Sequence, residues 1–376
     1  MKSNIDKTPI VFLPCTGLGH VNRGYESFSR ECFEQLKDCK EFKLILLKAV
    51  GENTDNEIRV PCIHRNSKLS ILIRRIFGVK EYWLEQGSFL ISMLPLIIKY
   101  KPALIYYSDT VLGKLLWSVR KASNFNYNLL LSNGAPKSAP FYTDDHVQQL
   151  LLVHQQKACK ANTPMNKQTL LHYGLNISNN FIELNNTDKN ILKDKFLLPI
   201  GKKIIISVGA VNSHHKRMDY IVTEFSKLNP DEYFLVILGN IDKNSQSIIA
   251  LANSILQPES FSIKNVEPNE VSNYLKISNY FILASLTEGS PRVLVEALQF
   301  GLTPIVHDYC IAREVLTNYG VFADLNNEGI LQDLINSVDK LNFNKAQLWS
   351  HAYNNYSWEL LKEQYIKMIF SNIYRN

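Results

Sequence analysis

The sequence predicts an α/β protein of two domains, each built on a parallel sheet. At 376 residues the chain exceeds what one hydrophobic core usually organises, so roughly two domains of about 150 to 200 residues are expected. Short apolar, β-branched runs alternate with longer helical patterns, which is how βα units that feed a parallel sheet read in sequence. The alternation occurs twice, with an asparagine-rich stretch between the two occurrences.

In the first half, strands are expected at Ile10 to Leu13, Phe42 to Leu47, Ala103 to Tyr107 and Tyr127 to Leu131. In the second they are expected at Lys203 to Val208, Tyr233 to Leu238, Phe261 to Ile263, Tyr280 to Leu283 and Thr303 to Val306. The intervening segment Ile177 to Asp188 (ISNNFIELNNTD) lacks periodic apolar residues and reads as a linker. It sets the expected boundaries: a first domain over 1–185, a second over 186–356 and a closing helix over 357–376. That helix is read from Trp358 to Ile373, where apolar side chains recur every three or four residues behind Ser357 as N-cap.

Hydrophobic residues make up 45% and charged residues 20%, a balance that supports packed cores and excludes disorder. The net charge of +6 is spread along the chain without a dense basic run, so a nucleic-acid partner is not expected. It suits phosphate-bearing small molecules and an anionic membrane surface alike. The six cysteines form no C-x-x-C pair, which argues against a zinc or disulfide framework and for a reducing compartment. Ile10 to Leu13 is too short for a signal-peptide core. The longest apolar stretch, Phe89 to Ile98, is interrupted by Ser92 and Pro95 and falls short of the ~20 residues that a spanning helix needs. The expectation is a cytoplasmic protein.

Two loops have the composition of phosphate cradles. The first strand runs into Thr16-Gly17-Leu18-Gly19-His20-Val21-Asn22-Arg23-Gly24, where Gly17 and Gly19 allow backbone N–H groups to approach a ligand at a helix start. Asn22 occupies the place of the third glycine of a dinucleotide fingerprint, and no acidic residue ends the second strand, so a nicotinamide dehydrogenase is disfavoured. No G-x-x-x-x-G-K-[ST] occurs, which excludes a P-loop enzyme. A plain structural turn is the other reading. The second loop, Gly209 to Arg217, puts the cations Lys216 and Arg217 at a strand-to-helix turn, where side-chain charge and helix dipole act together on a diphosphate. A solvated charge patch would look the same.

The most informative segment follows the strand Tyr280 to Leu283: Glu288-Gly289-Ser290-Pro291-Arg292-Val293-Leu294-Val295-Glu296. Pro291 suits a first helical position. Glu288 then sits just before the helix and Glu296 about two turns inside it, so that at eight positions apart both carboxylates can share one side, separated by about 12 Å of rise. That reach matches a nucleotide sugar, with one carboxylate at the sugar and the other at the ribose. The N–H groups near Ser290 to Val293 would face the diphosphate as unpaired helix donors.

The run E-G-S-P-R-V-L-V-E-A-L, with Gly301-Leu302-Thr303-Pro304 after it, resembles the Glu-x7-Glu signature of the retaining GT-B glycosyltransferases, glycosyltransferase family 4 (glycosyl transferases group 1). The glycine-rich first loop, the S-V-G loop with Lys216 and the helix after Tyr356-Ser357-Trp358 extend the resemblance over most of the chain. It implies two facing Rossmann-like domains with the active site between them and a C-terminal helix that crosses back to the first. It also implies that Glu288 contacts the transferred sugar and Glu296 the ribose. Lys216 would neutralise the donor phosphates, near Gly17 and Gly19, with Arg217, Gly289, Ser290, Arg292 and Val293 completing the donor site. Two positions depart from the pattern. Ala210 stands where the family usually has an arginine, with Arg217 as the candidate substitute. Ser132-Asn133-Gly134 replaces a frequent histidine, so Asn133 or His146 is the candidate at the sugar, and a surface role is the other reading of His146.

The activity implied is transfer of a hexosyl group, with retention, from a nucleoside-diphosphate sugar to a glycan, a lipid-linked or another hydroxyl acceptor. In the family, attack is thought to come from the front face, the departing phosphate taking the acceptor's proton. No Asp-x-Asp pair occurs, in keeping with metal-independent chemistry and no cofactor besides the co-substrate. An epimerase or hydrolase of the same fold, and a non-catalytic sugar-nucleotide-binding module, are the alternatives. Ser67 to Trp83 mixes apolar residues with Lys68, Arg74, Arg75 and Lys80, which fits an interfacial helix at the inner face of a membrane and equally a helix packed on the first domain. Base recognition would rely on loop backbone near Val266 to Asn269, and the acceptor loops, Arg65 to Gly78 and Asn133 to Asp145, carry no readable code.

Overall fold

A computed structural model describes residues 8–21, 24–341 and 343–375. The chain divides into two compact units, Met1–Asn176 with Ser357–Asn376, and Ile177–Tyr356. In the first unit the elements run β1 (Ile10–Cys15), α1 (Gly24–Leu36), β2 (Lys43–Lys48), β3 (Glu57–Arg59), α2 (Lys68–Phe77), α3 (Glu81–Tyr100), β4 (Leu104–Tyr107), α4 (Thr110–Ala122), β5 (Asn128–Ser132), β6 (His146–Gln149), α5 (Leu152–Lys160) and β7 (Gln168–Leu170). The second holds α6 (Asn186–Lys195), β8 (Lys203–Val208), α7 (Met218–Phe225), β9 (Tyr233–Leu238), α8 (Gln246–Ile255), β10 (Phe261–Lys264), α9 (Pro268–Ile277), β11 (Tyr280–Leu283), α10 (Arg292–Gln299), β12 (Pro304–His307), α11 (Cys310–Leu316), β13 (Val321–Ala323), α12 (Leu331–Leu341) and α13 (Lys345–Tyr356). The last helix, α14 (Trp358–Ile373), returns to the first unit.

Both sheets are parallel, ordered β3-β2-β1-β4-β5-β6-β7 and β10-β9-β8-β11-β12-β13. This is the α/β architecture expected from the alternating pattern. Strands covered on both faces by helices read as continuous apolar runs, and β9, Tyr-Phe-Leu-Val-Ile-Leu, is buried at all six positions. Phe12, Ile45, Ile105 and Leu129 carry the first core, and Ile205, Leu235, Ile282 and Ile305 carry the second. Four strands, β3, β6, β7 and β13, have no counterpart among the expected runs. They are three or four residues long, and β6 (His-Val-Gln-Gln) carries one apolar side chain, so periodicity has nothing to register.

The closing helix packs by aromatic contact. Trp358 stacks on Phe28 of α1 at 5.9 Å between ring centroids, and its indole N–H donates to Glu31 Oε2 at 3.2 Å. Tyr365 donates to the His172 carbonyl at 2.7 Å and accepts from Gln148 Nε2 at 2.8 Å. Gly174 is required at this contact, since a Cβ there would lie 2.3 Å from the Trp358 ring. Ser357 occupies the expected N-cap position with extended backbone, but its hydroxyl makes no capping bond. Its carbonyl instead accepts the N–H groups of Leu360 and Leu361. Pro95, expected to break an apolar stretch, lies inside the twenty-residue helix α3. Among the described residues, no helix is long and apolar enough to cross a membrane.

Candidate functional site

In the second sheet the chain winds outward from the middle in both directions, through β9 and β10 on one side and β12 and β13 on the other. The reversal falls between β8 and β11. Open α/β sheets bind ligands beyond the carboxyl ends of their strands at such a reversal, because the two following loops diverge there and leave a crevice. Those loops are Gly209 to Arg217 and Ala284 to Pro291, the two that sequence reasoning singled out in this half.

Asn212 folds the first loop. Its Oδ1 accepts from the backbone N–H groups of His215 at 3.0 Å and Lys216 at 3.1 Å, while its carbonyl accepts from Met218 at 3.0 Å. The turn packs closely on the next strand end, where a Cβ on Gly239 would fall 1.7 Å from the Gly209 carbonyl oxygen. The Lys216 ammonium thereby meets the Glu288 carboxylate through Oε1 in a direct ion pair. His215 Nε2 lies 3.5 Å from Oε2 of the same carboxylate. The Glu288 side chain is only 9% exposed, so this charge is shielded from bulk water.

Arg217 turns elsewhere. In a left-handed backbone conformation at the start of α7, it donates from Nη1 to the Leu325 carbonyl at 2.8 Å and lies over the Tyr220 ring at 4.7 Å. The structure therefore brings Lys216, and not Arg217, to Glu288. Helix α10 opens at Arg292 with Pro291 as its N-cap, one residue later than expected, and Glu288 precedes it as expected. Glu296 is the fifth helical residue, and only about 6 Å of helical rise separates it from Arg292. The N–H of Arg292 is taken by the Ser290 carbonyl at 2.9 Å, so it is not among the free donors expected there. Gly289, Ser290, Val293 and Glu296 are half-buried and Arg292 is buried.

Tyr309 joins the site without having been foreseen, since it lies on the loop after β12, 21 residues beyond Glu288 with no motif around it. Its hydroxyl is buried without a hydrogen-bond partner among the described residues. Burial, and then the charge of Glu288, push its phenol well above the ordinary range. His215 was equally unforeseen, although it adjoins Lys216. A separate cavity of about 620 Å³ in this unit, lined by Lys193, Lys276, Tyr280, Phe300 and Asp339 among others, includes neither Lys216 nor Glu288.

Gly17 and Gly19 lie in the first unit, on the turn after β1. The Gly17 carbonyl accepts from His20 and Val21, Gly19 has φ +91°, and a Cβ on Gly17 would lie 2.2 Å from Glu26 Oε1. Asn22 lies outside the described residues. His146 is a strand residue, not a loop residue, and is 5% exposed. Its Nε2 pairs with Thr169 Oγ1 at 2.8 Å, and its Nδ1 meets the Arg375 guanidinium. Burial first, then Arg375 and Lys167, lower its pKa to about 4. With both ring nitrogens engaged by protein, His146 holds β6, β7 and the chain end together in this geometry. Asn133 is also turned inward, accepting from Lys137 N at 2.7 Å and donating to Gln149 Oε1 at 2.9 Å.

The two parallel sheets, each in a Rossmann-like unit, give the GT-B architecture. Sucrose-phosphate synthase from Thermosynechococcus elongatus superposes with a TM-score of 0.75 at 14% identity, over 96% of this chain and 99% of that one. Anabaena Alr3699/HepE, solved in complex with UDP-glucose, superposes with a TM-score of 0.73 at 12% identity, over 97% and 100%. More particularly, residues 188–353 match the family model of glycosyl transferases group 1. A Haemophilus influenzae protein described as an uncharacterized glycosyltransferase is 26% identical over 175 residues, 46% of this chain and 48% of that protein. The chain spans about half the length of the curated relatives it matches. The solved structures share the fold, and the family match lies within the second unit.

Proposed function

We propose that this protein transfers a hexosyl group from a nucleoside-diphosphate sugar to a hydroxyl acceptor, with retention at the anomeric carbon. The observation that carries the reading is the Lys216–Glu288 pair at the β8/β11 reversal, inside the segment that matches the family. Without donor the ammonium and carboxylate neutralise each other. A diphosphate competes for the ammonium, because two phosphate charges attract it more strongly than one carboxylate. Glu288 is then released toward the sugar. As the anomeric bond breaks, negative charge builds on the departing diphosphate, and Lys216 stabilises it from a site already organised by Asn212. Glu288 orients the sugar and stabilises its oxocarbenium-like state, and the departing phosphate takes the acceptor's proton. Glu296, one turn into α10, serves the ribose hydroxyls. No metal takes part in these steps. The complex of Alr3699/HepE with UDP-glucose supports a nucleotide-sugar donor.

The test is release of nucleoside diphosphate from UDP-, GDP- and ADP-sugars with and without glycan acceptors. Acceptor-dependent release that falls about 100-fold or more in Glu288→Gln is expected, by comparison with the loss of one preorganised electrostatic group. Full activity in that variant, or fast epimerisation or hydrolysis of donor alone, would sink the transfer reading.

We further propose peripheral association of the first unit with an anionic membrane. Helix α2 buries only Ser70, while Leu69, Leu72, Ile76 and Phe77 are 51, 52, 62 and 71% exposed. Lys68, Arg74, Arg75 and Lys80 flank this stripe and are exposed. Apolar residues turned outward beside cations match the depth profile of a lipid surface, with acyl chains below the phosphates.

A further inference from the structure

In the first sheet the winding reverses between β1 and β4, and a second constellation of side chains gathers beside the loop after β1. His20 Nε2 lies 3.2 Å from Glu85 Oε1 and 3.4 Å from His64 Nδ1. All three ligand atoms fall within 4.8 Å of one another. Zinc bonds nitrogen and carboxylate oxygen at about 2.0 to 2.2 Å in tetrahedral geometry, which spaces neighbouring ligand atoms by about 3.3 to 3.5 Å. The His20–His64 separation lies at that spacing and the His20–Glu85 separation about 0.1 Å below it.

The three residues come from separate segments, each fastened to α3. Thr16 Oγ1 donates to Gln86 Oε1 at 3.0 Å and ties down the β1 loop that carries His20. Ile63 N donates to Ser88 Oγ at 2.9 Å and ties down the segment that carries His64. Glu85 is itself in α3, with a side chain 0% exposed. Arg65 donates to it twice, from N to Oε1 at 3.0 Å and from Nε to Oε2 at 2.6 Å. These bonds, with the contact from His20, orient the carboxylate toward the two imidazoles. A charged carboxylate oriented by hydrogen bonds is what an anionic metal ligand requires. Hydrogen bonding alone suits the histidines less well. His20 Nε2 can donate one hydrogen, to the Glu85 oxygen or to the His64 nitrogen, and the other neighbour of His64 Nδ1 is Cys62 Sγ at 3.9 Å, whereas a cation placed among the three lone pairs engages them together.

We propose that His20, His64 and Glu85 bind a zinc-type divalent cation, leaving its fourth position to water or a ligand oxygen. Two imidazoles and one carboxylate favour zinc over magnesium or calcium, which prefer oxygen ligands. The cation takes the place of the proton between His20 and Glu85 and pins the glycine-bearing β1 loop to α3. It has no part in the transfer step, so the proposal stands or falls apart from the functional reading.

The experiment uses the full chain dialysed against chelator, titrated with Zn(II) by calorimetry and with Co(II) by visible absorption. One equivalent is expected to bind, with the intense visible bands of four-coordinate cobalt and a rise in melting temperature, because only the native state presents all three ligands. His20→Ala and His64→Gln should each weaken binding by about 100-fold or more, a ligand counting for at least as much as the groups that orient it. His172→Ala, whose ring nitrogen bonds the Leu150 carbonyl in the same unit, should bind as the parent does. Melting of each variant without metal establishes that it is folded. Absence of saturable binding to the parent, or undiminished binding in folded His20→Ala and His64→Gln, would overturn the proposal.

Discussion

Lys216 and Glu288 lie 72 residues apart in the chain and pair directly, side chain to side chain, where the winding of the second sheet reverses. The pairing joins the two loops that a diphosphate and its sugar would enter. It also fixes which of two adjacent cations faces the carboxylate.

Replacing that cation should therefore be costly and replacing its neighbour should not. Lys216→Ala is expected to lower kcat/KM by about 100- to 1000-fold, the range for removing one preorganised electrostatic group. Arg217→Lys, which can keep a bond to the Leu325 carbonyl, should change it by less than about tenfold. Steady-state kinetics on both variants provide the check, and the reverse order would assign the phosphate contact to Arg217.

Acid should destabilise the first unit through His146. Its folded pKa of about 4 lies below the ordinary unfolded value of about 6.5. Between those values the unfolded chain binds more protons, so the contribution is fully present above pH 6.5 and is lost as pH falls toward 4. The loss amounts to roughly 2 kcal/mol after allowance for solvent screening. Urea midpoints at neutral and acid pH should therefore differ less in His146→Gln than in the parent. Equal pH dependence would show that this imidazole is not the titrating group.

The aromatic seat of α14 predicts coupling between two positions. Trp358→Ala should destabilise the first unit by about 3 to 5 kcal/mol through the cavity it leaves. Gly174→Ala should cost about 1 to 3 kcal/mol by overpacking against the indole. Combined with Trp358→Ala, the glycine substitution should cost almost nothing, because its clash partner is gone. Denaturant unfolding of the four proteins measures this directly, and additive losses would contradict the contact.

Flotation with liposomes tests α2. Binding to anionic vesicles at low salt, weakened by salt and removed by Ile76→Glu with Phe77→Glu, is expected from the exposed stripe and its flanking cations. Equal flotation of parent and variant would place any association elsewhere on the chain.

Much of the α/β fold was legible because buried parallel strands announce themselves as apolar runs, as β8 and β9 do. The short strands β6 and β13 were not, since tertiary pairing and not local pattern makes them strands. At the site, Glu288 and Lys216 could be named because they stand in motifs. Their pairing could be neither seen nor excluded, since it depends on the turn that Asn212 folds. Tyr309 and His215 had no signal beyond position. The strand at His146 was hidden because a histidine after two aspartates carries no strand pattern, whereas Arg120 binds Asp145 and Lys137 binds Asp144, holding the acids at the start of a buried strand.

The central claim is that Lys216 receives the donor diphosphate beside Glu288. Calorimetric titration of the parent and Lys216→Ala with UDP-, GDP- and ADP-hexoses tests it most directly, with no need to know the acceptor. Saturable one-to-one binding of one donor class, weakened about tenfold or more in the variant, is the predicted result, since one lost charge-assisted contact is worth about 1.5 to 3 kcal/mol. Equal affinity in parent and variant, or no binding of any of the three to the parent, would contradict it.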